Sequence, residues 1–129
     1  MQGIEFISNK PVVFSLGNFW FSTGTLYTTI AQIEIDKTGD LNLKMVPCLQ
    51  KDMKVTLLEG KKAEKFYKFI ADISTNIVID KDGYIYNTKN GKNKKLLDGK
   101  NLYSGNHYDS YSGNKDLEER PIDIVGNLE

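Results

Sequence analysis

The sequence predicts an α+β fold, mostly antiparallel β-sheet with one main helix, and three observations predict it. Residues 31 to 36 and 41 to 45 alternate polar and apolar side chains on either side of a glycine-containing turn, the pattern of a half-exposed hairpin. Residues 61 to 74 change to helical spacing, with Ala63, Phe66, Tyr67, Ile70 and Ile73 on one side. A second turn signature, Lys81-Asp82-Gly83, then separates "NIVID" from "YIYN" and marks another hairpin.

Taken in chain order, "IEFI" at residues 4 to 7 reads as a strand, and Asn9 and Pro11 mark a turn after it. "PVVFSLGNFWFS", residues 11 to 22, carries apolar side chains on both faces and reads as a strand that is covered on both sides. Val12, Phe14, Leu16, Val13, Phe19, Phe21 and Trp20 offer more apolar surface than one short helix can shield. The chain is therefore expected to need a further layer, from a larger sandwich or a second subunit. Glycine inside a strand marks a bulge or a close backbone approach, and buried polar groups need partners. Ser15, Gly17 and Asn18 are accordingly the candidate site residues, at the end of a central strand; the plain alternative is a satisfied structural amide in a β-bulge.

In "TLYTTIAQIEID" the residues Ala31, Ile33 and Ile35 share one face, while Gln32, Glu34 and Asp36 share the other. "DKTGD" supplies a three-residue loop with Gly39 left-handed, and "LNLKMVP" returns with Leu41, Leu43 and Met45 on one face. Pro47 removes a ladder donor, which predicts an edge or a bulge there, and "KVTLLEG" reads as a further strand. Lys61, Lys62, Lys65 and Lys68 form the outer face of the helix; no aromatics alternate with them, so they read as a solvated face and not as a nucleic-acid patch. Residues 1 to 87 read as the folded unit, and residues 88 to 129 as a polar, loosely packed tail with "YSGN" at Tyr103 and again at Tyr111.

Seventeen basic residues balance seventeen acidic ones in 129, so no global field favours nucleic acid or an anionic membrane. No stretch is apolar enough to span a bilayer, and the N-terminus lacks the plan of a signal peptide. Cys48 reads as a small half-buried apolar residue, and His107 as a solvated loop residue without a second histidine to make a metal pair. Asp36 with Asp40, and Asp80 with Asp82, flank turns and lack calcium-loop spacing. Ser15 has no base nearby in sequence, and the glycines from Gly17 to Gly24 lack phosphate-loop spacing. No catalytic, cofactor or metal residue is assigned in this chain.

"QGIEFISNKPVVFSLGNFWFS" resembles the CapA family of capsule synthesis, associated with poly-γ-glutamate, with "QGIE", "NKP" and "SLGNF" in the family's order and spacing. "VPCLQ" before "TLLEG", and the helix with "DGYI" behind it, extend the resemblance over residues 2 to 86. It implies the C-terminal half of a calcineurin-like α/β/β/α sandwich, in which divalent metals are held at strand ends by Asp, Asn and His. In the family a glycine and histidine motif with metal ligands stands directly before "QGIE"; here Met1 and Gln2 precede Gly3, and the upstream ligands are absent. The resemblance thus implies a portion without its own metal ligands, inactive by itself. Its partner would be the missing N-terminal half or a second subunit, and the parent's substrate an anionic polymer. Ser15, Gly17 and Asn18 would be groups supporting the metal ligands or facing substrate, and the location the outside of a Gram-positive cell. "NLE" at Asn127 to Glu129 resembles a metal-site motif of the same family out of order, and reads as coincidence or as a cloning-derived Leu128-Glu129. The competing expectation is a non-enzymatic binding or assembly module that oligomerises through exposed sheet edges.

Overall fold

The structure, a computed structural model, describes residues 1–90 and 102–105. Its centre is a long hairpin of β3 (Thr25–Ile35) and β4 (Leu41–Lys51), paired antiparallel from Thr25↔Lys51 to Ile35↔Leu41. On its other side β4 pairs with β5 (Lys54–Leu57) and with β7 (Tyr84–Asn87), and β7 pairs with β6 (Ile77–Asp80). β8 (Leu102–Gly105) closes the order β3-β4-β7-β6-β8, with β5 branching from β4. This is the antiparallel α+β arrangement that the alternation predicts.

Helix α1 (Gly60–Asp72) packs on one face of this sheet. Ala63, Phe66, Tyr67, Ile70 and Ala71 are buried, the side that the helical spacing marks out, and Lys61, Lys62, Lys65 and Lys68 are exposed. Opposite them lie Leu43, Met45, Ile77, Ile79 and Ile85, with Tyr27 edge-on to Phe66 at 5.6 Å. A 13-residue helix is about 20 Å long, whereas an 11-residue strand runs about 36 Å. One helix cannot cover the whole hairpin. Consequently Ile33, Ile35 and Leu41, on the helix-side face at its far end, are exposed, which corrects the expectation of a buried isoleucine face.

Pro47 meets the expectation of an edge locally, because β4 is central in the sheet but at Pro47 has a ladder partner on β3 alone. Its missing N–H falls in the gap between the β5 pairing, which starts at Cys48, and the β7 pairing, which ends at Lys44. The Pro47 carbonyl accepts from the Leu58 N–H, so an interior strand loses nothing by the proline.

A separate two-stranded ribbon, β1 (Ile4–Ile7) and β2 (Lys10–Val13), turns through Ser8 and Asn9, both at positive φ, in the primed geometry that suits a tight hairpin. It is tied to the end of α1: Ser74 Oγ accepts from the Ile4 N–H, and the Ile4 carbonyl accepts from the Thr75 N–H. Gly3 touches the same turn so closely that a Cβ would collide with the Ile73 carbonyl oxygen. Within the stretch read as a polar tail, Leu102–Gly105 form β8, and Tyr103 lies 6.0 Å from the Tyr67 ring. His107, Tyr111, Asn127 and Glu129 lie outside the described residues.

Two turns share one construction. Asp36 Oδ1 accepts from the N–H groups of Thr38 and Asp40, and Asp80 Oδ1 accepts from those of Asp82 and Tyr84. Gly39 and Gly83 take the left-handed position at φ +86° and +90°. A Cβ on Gly39 would meet open space, but one on Gly83 would fall 2.5 Å from the Met45 carbonyl oxygen and 2.8 Å from the Tyr67 hydroxyl. Gly39→Ala should therefore lose about 1–2 kcal/mol, the left-handed backbone term alone. Gly83→Ala should lose clearly more, as read from urea midpoints; equal losses would show that the contact with β4 and α1 carries no weight.

Candidate functional site

The segment containing the candidate residues is not a strand beyond Val13. Residues 14 to 24 run irregularly past the edge of β3 and over the sheet face opposite α1. The expectation of a ribbon buried on both faces is corrected accordingly: Phe14, Leu16, Phe19, Trp20 and Phe21 are exposed, Trp20 at 68%. Continuous apolar runs do not distinguish a doubly covered strand from a surface segment whose side chains point outward. Here the backbone is what the sheet holds.

Each hydrogen bond of the segment with the sheet among the described residues uses a main-chain carbonyl or a polar side chain. The Leu16 carbonyl accepts from the Thr29 N–H at 3.1 Å and the Thr28 hydroxyl at 3.2 Å. Gln50, fully buried on β4, donates from Nε2 to the Phe21 carbonyl at 2.7 Å. Trp20 donates its indole N–H to the Met53 carbonyl in the β4–β5 turn at 3.0 Å. Gln50 Oε1 and the Tyr27 hydroxyl are buried without a partner among the described residues.

Ser15, Gly17 and Asn18 have distinct environments in this arrangement. Ser15 Oγ accepts from the Gly17 N–H at 3.2 Å, a local turn, and the Ser15 carbonyl accepts from the Gln2 N–H. Gly17 stands at φ +81°, and a Cβ on it would fall 2.9 Å from the Tyr27 carbonyl oxygen. The bare backbone lets the segment reach β3. Asn18 is exposed and makes no hydrogen bond among the described residues. The three residues are neighbours on one bend, and among the described residues no hydrogen bond joins them to a carboxylate or an imidazole.

Among the described residues, Cys48, Asp36 and Asp80 are engaged in contacts of the fold. Cys48 is buried, and burial pushes its thiol up, away from the reactive thiolate. The Asp36 carboxyl is held below its ordinary value by the Thr38 hydroxyl and the Asp40 N–H of its own turn. Asp80 is buried and accepts from the Tyr86 hydroxyl at 3.1 Å as well as from its turn. A shallow depression by the β4–β5 hairpin is lined by Leu49, Lys51, Asp52, Lys54 and Thr56, which form no acid–base pair with a nucleophile. Among the described residues no three His, Cys, Asp or Glu side chains come together to hold a metal, and no helix is long and apolar enough to cross a membrane. These residues do not supply the donor set of a divalent-metal site. In comparisons with family models, curated proteins and solved structures, nothing matches this chain.

Two outcomes follow from this geometry. Gly17→Ala should lower the urea midpoint by the equivalent of about 1–2 kcal/mol or more, from the left-handed backbone and the Tyr27 contact. Asn18→Ala should stay within about 0.5 kcal/mol of wild type; the reverse ranking would move the weight of the bend from its backbone to its amide. The second concerns alkaline pH. Burial, then the charge of Asp80, pushes the Tyr67 hydroxyl from 10.0 to about 12, and Tyr86 likewise. A raised folded value means that the stabilisation is complete below pH 10 and is lost as pH rises toward about 12. Tyr67→Phe should flatten the fall in stability across that window, and an unchanged slope would remove Tyr67 as its source.

Proposed function

We propose that this chain is the β-rich C-terminal portion of a CapA-like protein of metallophosphoesterase fold, with a role in capsule polymer synthesis at the cell surface, and that a further polypeptide layer covers its sheet face opposite α1. The observation that carries the reading is the apolar surface left on that side. Phe14, Phe19, Trp20 and Phe21 are exposed on a segment whose backbone is firmly attached, and Ile30 is exposed on the same sheet face. Apolar side chains exposed together on one short segment suit a site of association. The segment is also the one whose "SLGNF" carries the family resemblance.

On this reading the divalent metals implied by the family would take their ligands from outside the described residues. Ser15 and Asn18 would border the site from the wall of the completed sandwich, where polar groups orient ligands or meet an anionic polymer. Metal would supply charge stabilisation or an activated water. This chain's own part is to seat the covering layer on its aromatic bend.

A second reading, a non-enzymatic assembly module, is favoured by one specific observation, the outer edge of β3 from Ala31 to Ile35, whose outward N–H and C=O groups have no partner among the described residues. The two readings separate by experiment. The chain should form a one-to-one complex with a CapA-family N-terminal segment carrying the aspartate, asparagine and histidine ligands. That complex should bind Mn²⁺ and hydrolyse a phosphodiester such as bis(p-nitrophenyl) phosphate. Trp20→Ser should weaken the complex, and Asn18→Ala should lower metal affinity within it. Separate elution of the two polypeptides, or metal binding and turnover by the chain alone, would overturn the CapA reading.

A further inference from the structure

We infer that the outer edge of β3 pairs antiparallel with the same edge of a second copy of this chain, in a two-fold register centred on Ile33. The inference deepens the assembly reading and is independent of the CapA one. It starts from the direction of the backbone groups. In an antiparallel ladder, successive residues turn their N–H and C=O groups alternately toward one neighbour and the other. The Thr29 N–H points away from β4, to the Leu16 carbonyl, and Met45, which faces Ala31 across the ladder, points its N–H away from β3, to the Gly83 carbonyl. Ala31, Ile33 and Ile35 therefore also turn their N–H and C=O groups outward. None of these three has a hydrogen-bond partner on that side among the described residues.

The edge is closed where the 14–24 segment reaches it and open beyond. Other edges of the molecule carry the usual devices against pairing. β2 holds Lys10 and Pro11, β5 is four residues long and begins at Lys54, and β8 is also four residues long. β3 has eleven residues with no lysine, proline or glycine. Its open part presents Ile33 and Ile35, 59% and 70% exposed. Such an edge is a template for another strand.

The occupant follows from self-complementarity. Only the register centred on Ile33 engages all three free residues of both copies, because a shift one way meets Thr29, already bonded, and a shift the other way runs past the strand end at Ile35. Ile33 then faces Ile33 of the copy, and Ala31 faces Ile35. Two groups from each of three residues, matched one to one between the copies, give six hydrogen bonds. On the helix-side face Ile33, Ile35 and the adjacent Leu41 of both copies meet, which covers the far end of the hairpin that α1 leaves bare. On the other face Gln32 lies opposite Glu34 of the copy, a donor against a carboxylate, and no like charges stand directly opposite.

The test is sedimentation of the full chain over a concentration series, with Ile33→Pro and Ile33→Lys alongside. Because the Ile33 N–H points outward, proline there removes no bond of the β3–β4 ladder, and far-UV circular dichroism should be unchanged; lysine leaves the backbone intact if proline disturbs it. Wild type should dimerise, and each variant should weaken dimerisation by at least about tenfold. A dimer indifferent to both substitutions overturns edge pairing and leaves the assembly reading standing. A wild-type chain that stays monomeric throughout the series overturns both.

Discussion

Strand β4 is the constraint on which the other parts depend. It is bonded to β3 along all eleven residues, to β5 at one end and to β7 at the other, and its Leu43 and Met45 form the floor on which α1 sits. Its opposite face offers Cys48 and Gln50, both fully buried, to the irregular segment from residue 14 onward. A strand used on two edges and two faces has little freedom to change. Hydrogen bonding sets its register, and burial fixes which face is which. That explains why glycine is required at position 83, where the turn of β6 and β7 closes against the β4 backbone and the Tyr67 ring at once.

The segment from Phe14 to Gly24 uses the opposite strategy. It contributes little apolar burial, and it is attached through carbonyls, one indole N–H and a buried carboxamide. A hydrogen bond adds about 1 kcal/mol net when its partners would otherwise be hydrated, and leaving one partner buried and unpaired costs more. The Gln50 side chain illustrates both halves of that statement, with Nε2 satisfied by Phe21 and Oε1 without a partner among the described residues. Directional contacts hold the bend in place while its aromatic side chains face outward. That polarity is the reverse of a core strand and suits a surface meant to be covered.

Much of the fold was legible because it is written in local chemistry. Asp36 and Asp80, each three residues before a glycine, specify their turns through their own carboxylates, and the spacing of Ala63, Phe66, Tyr67 and Ile70 specifies the buried side of α1. What was not legible depends on reach. No local rule shows that α1 stops short of Ile33 and Ile35, nor that a different strand borders β4 on each side of the gap that Pro47 marks. The turn at Asp52 and Met53 takes positive φ at both positions without a glycine or asparagine to announce it. For the candidate site, the interruption of the apolar run by Ser15, Gly17 and Asn18 was legible, and Gly17 does mark a close backbone approach. The burial of the run was misread, since apolar content alone does not say whether a run faces inward. Gln50, the residue that fastens the bend, had no sequence signal, being one of several polar residues in β4.

Among the described residues two surfaces stand open, of different physical kinds, and the difference bears on how both could be covered. The aromatic bend lies over a face of the sheet, and its attraction to any cover is non-directional and scales with area. The open part of β3 lies in the plane of the sheet, and its demand is a row of hydrogen bonds at fixed spacing. A covering layer stacked on the face does not compete with a strand added at the edge, because the two approach along perpendicular directions. Apolar burial alone would leave the edge amides hydrated, and edge pairing alone would leave Trp20 in solvent. An assembly that met both demands would extend the sheet sideways while adding a layer above it, which is the geometry of a sandwich built from paired protomers.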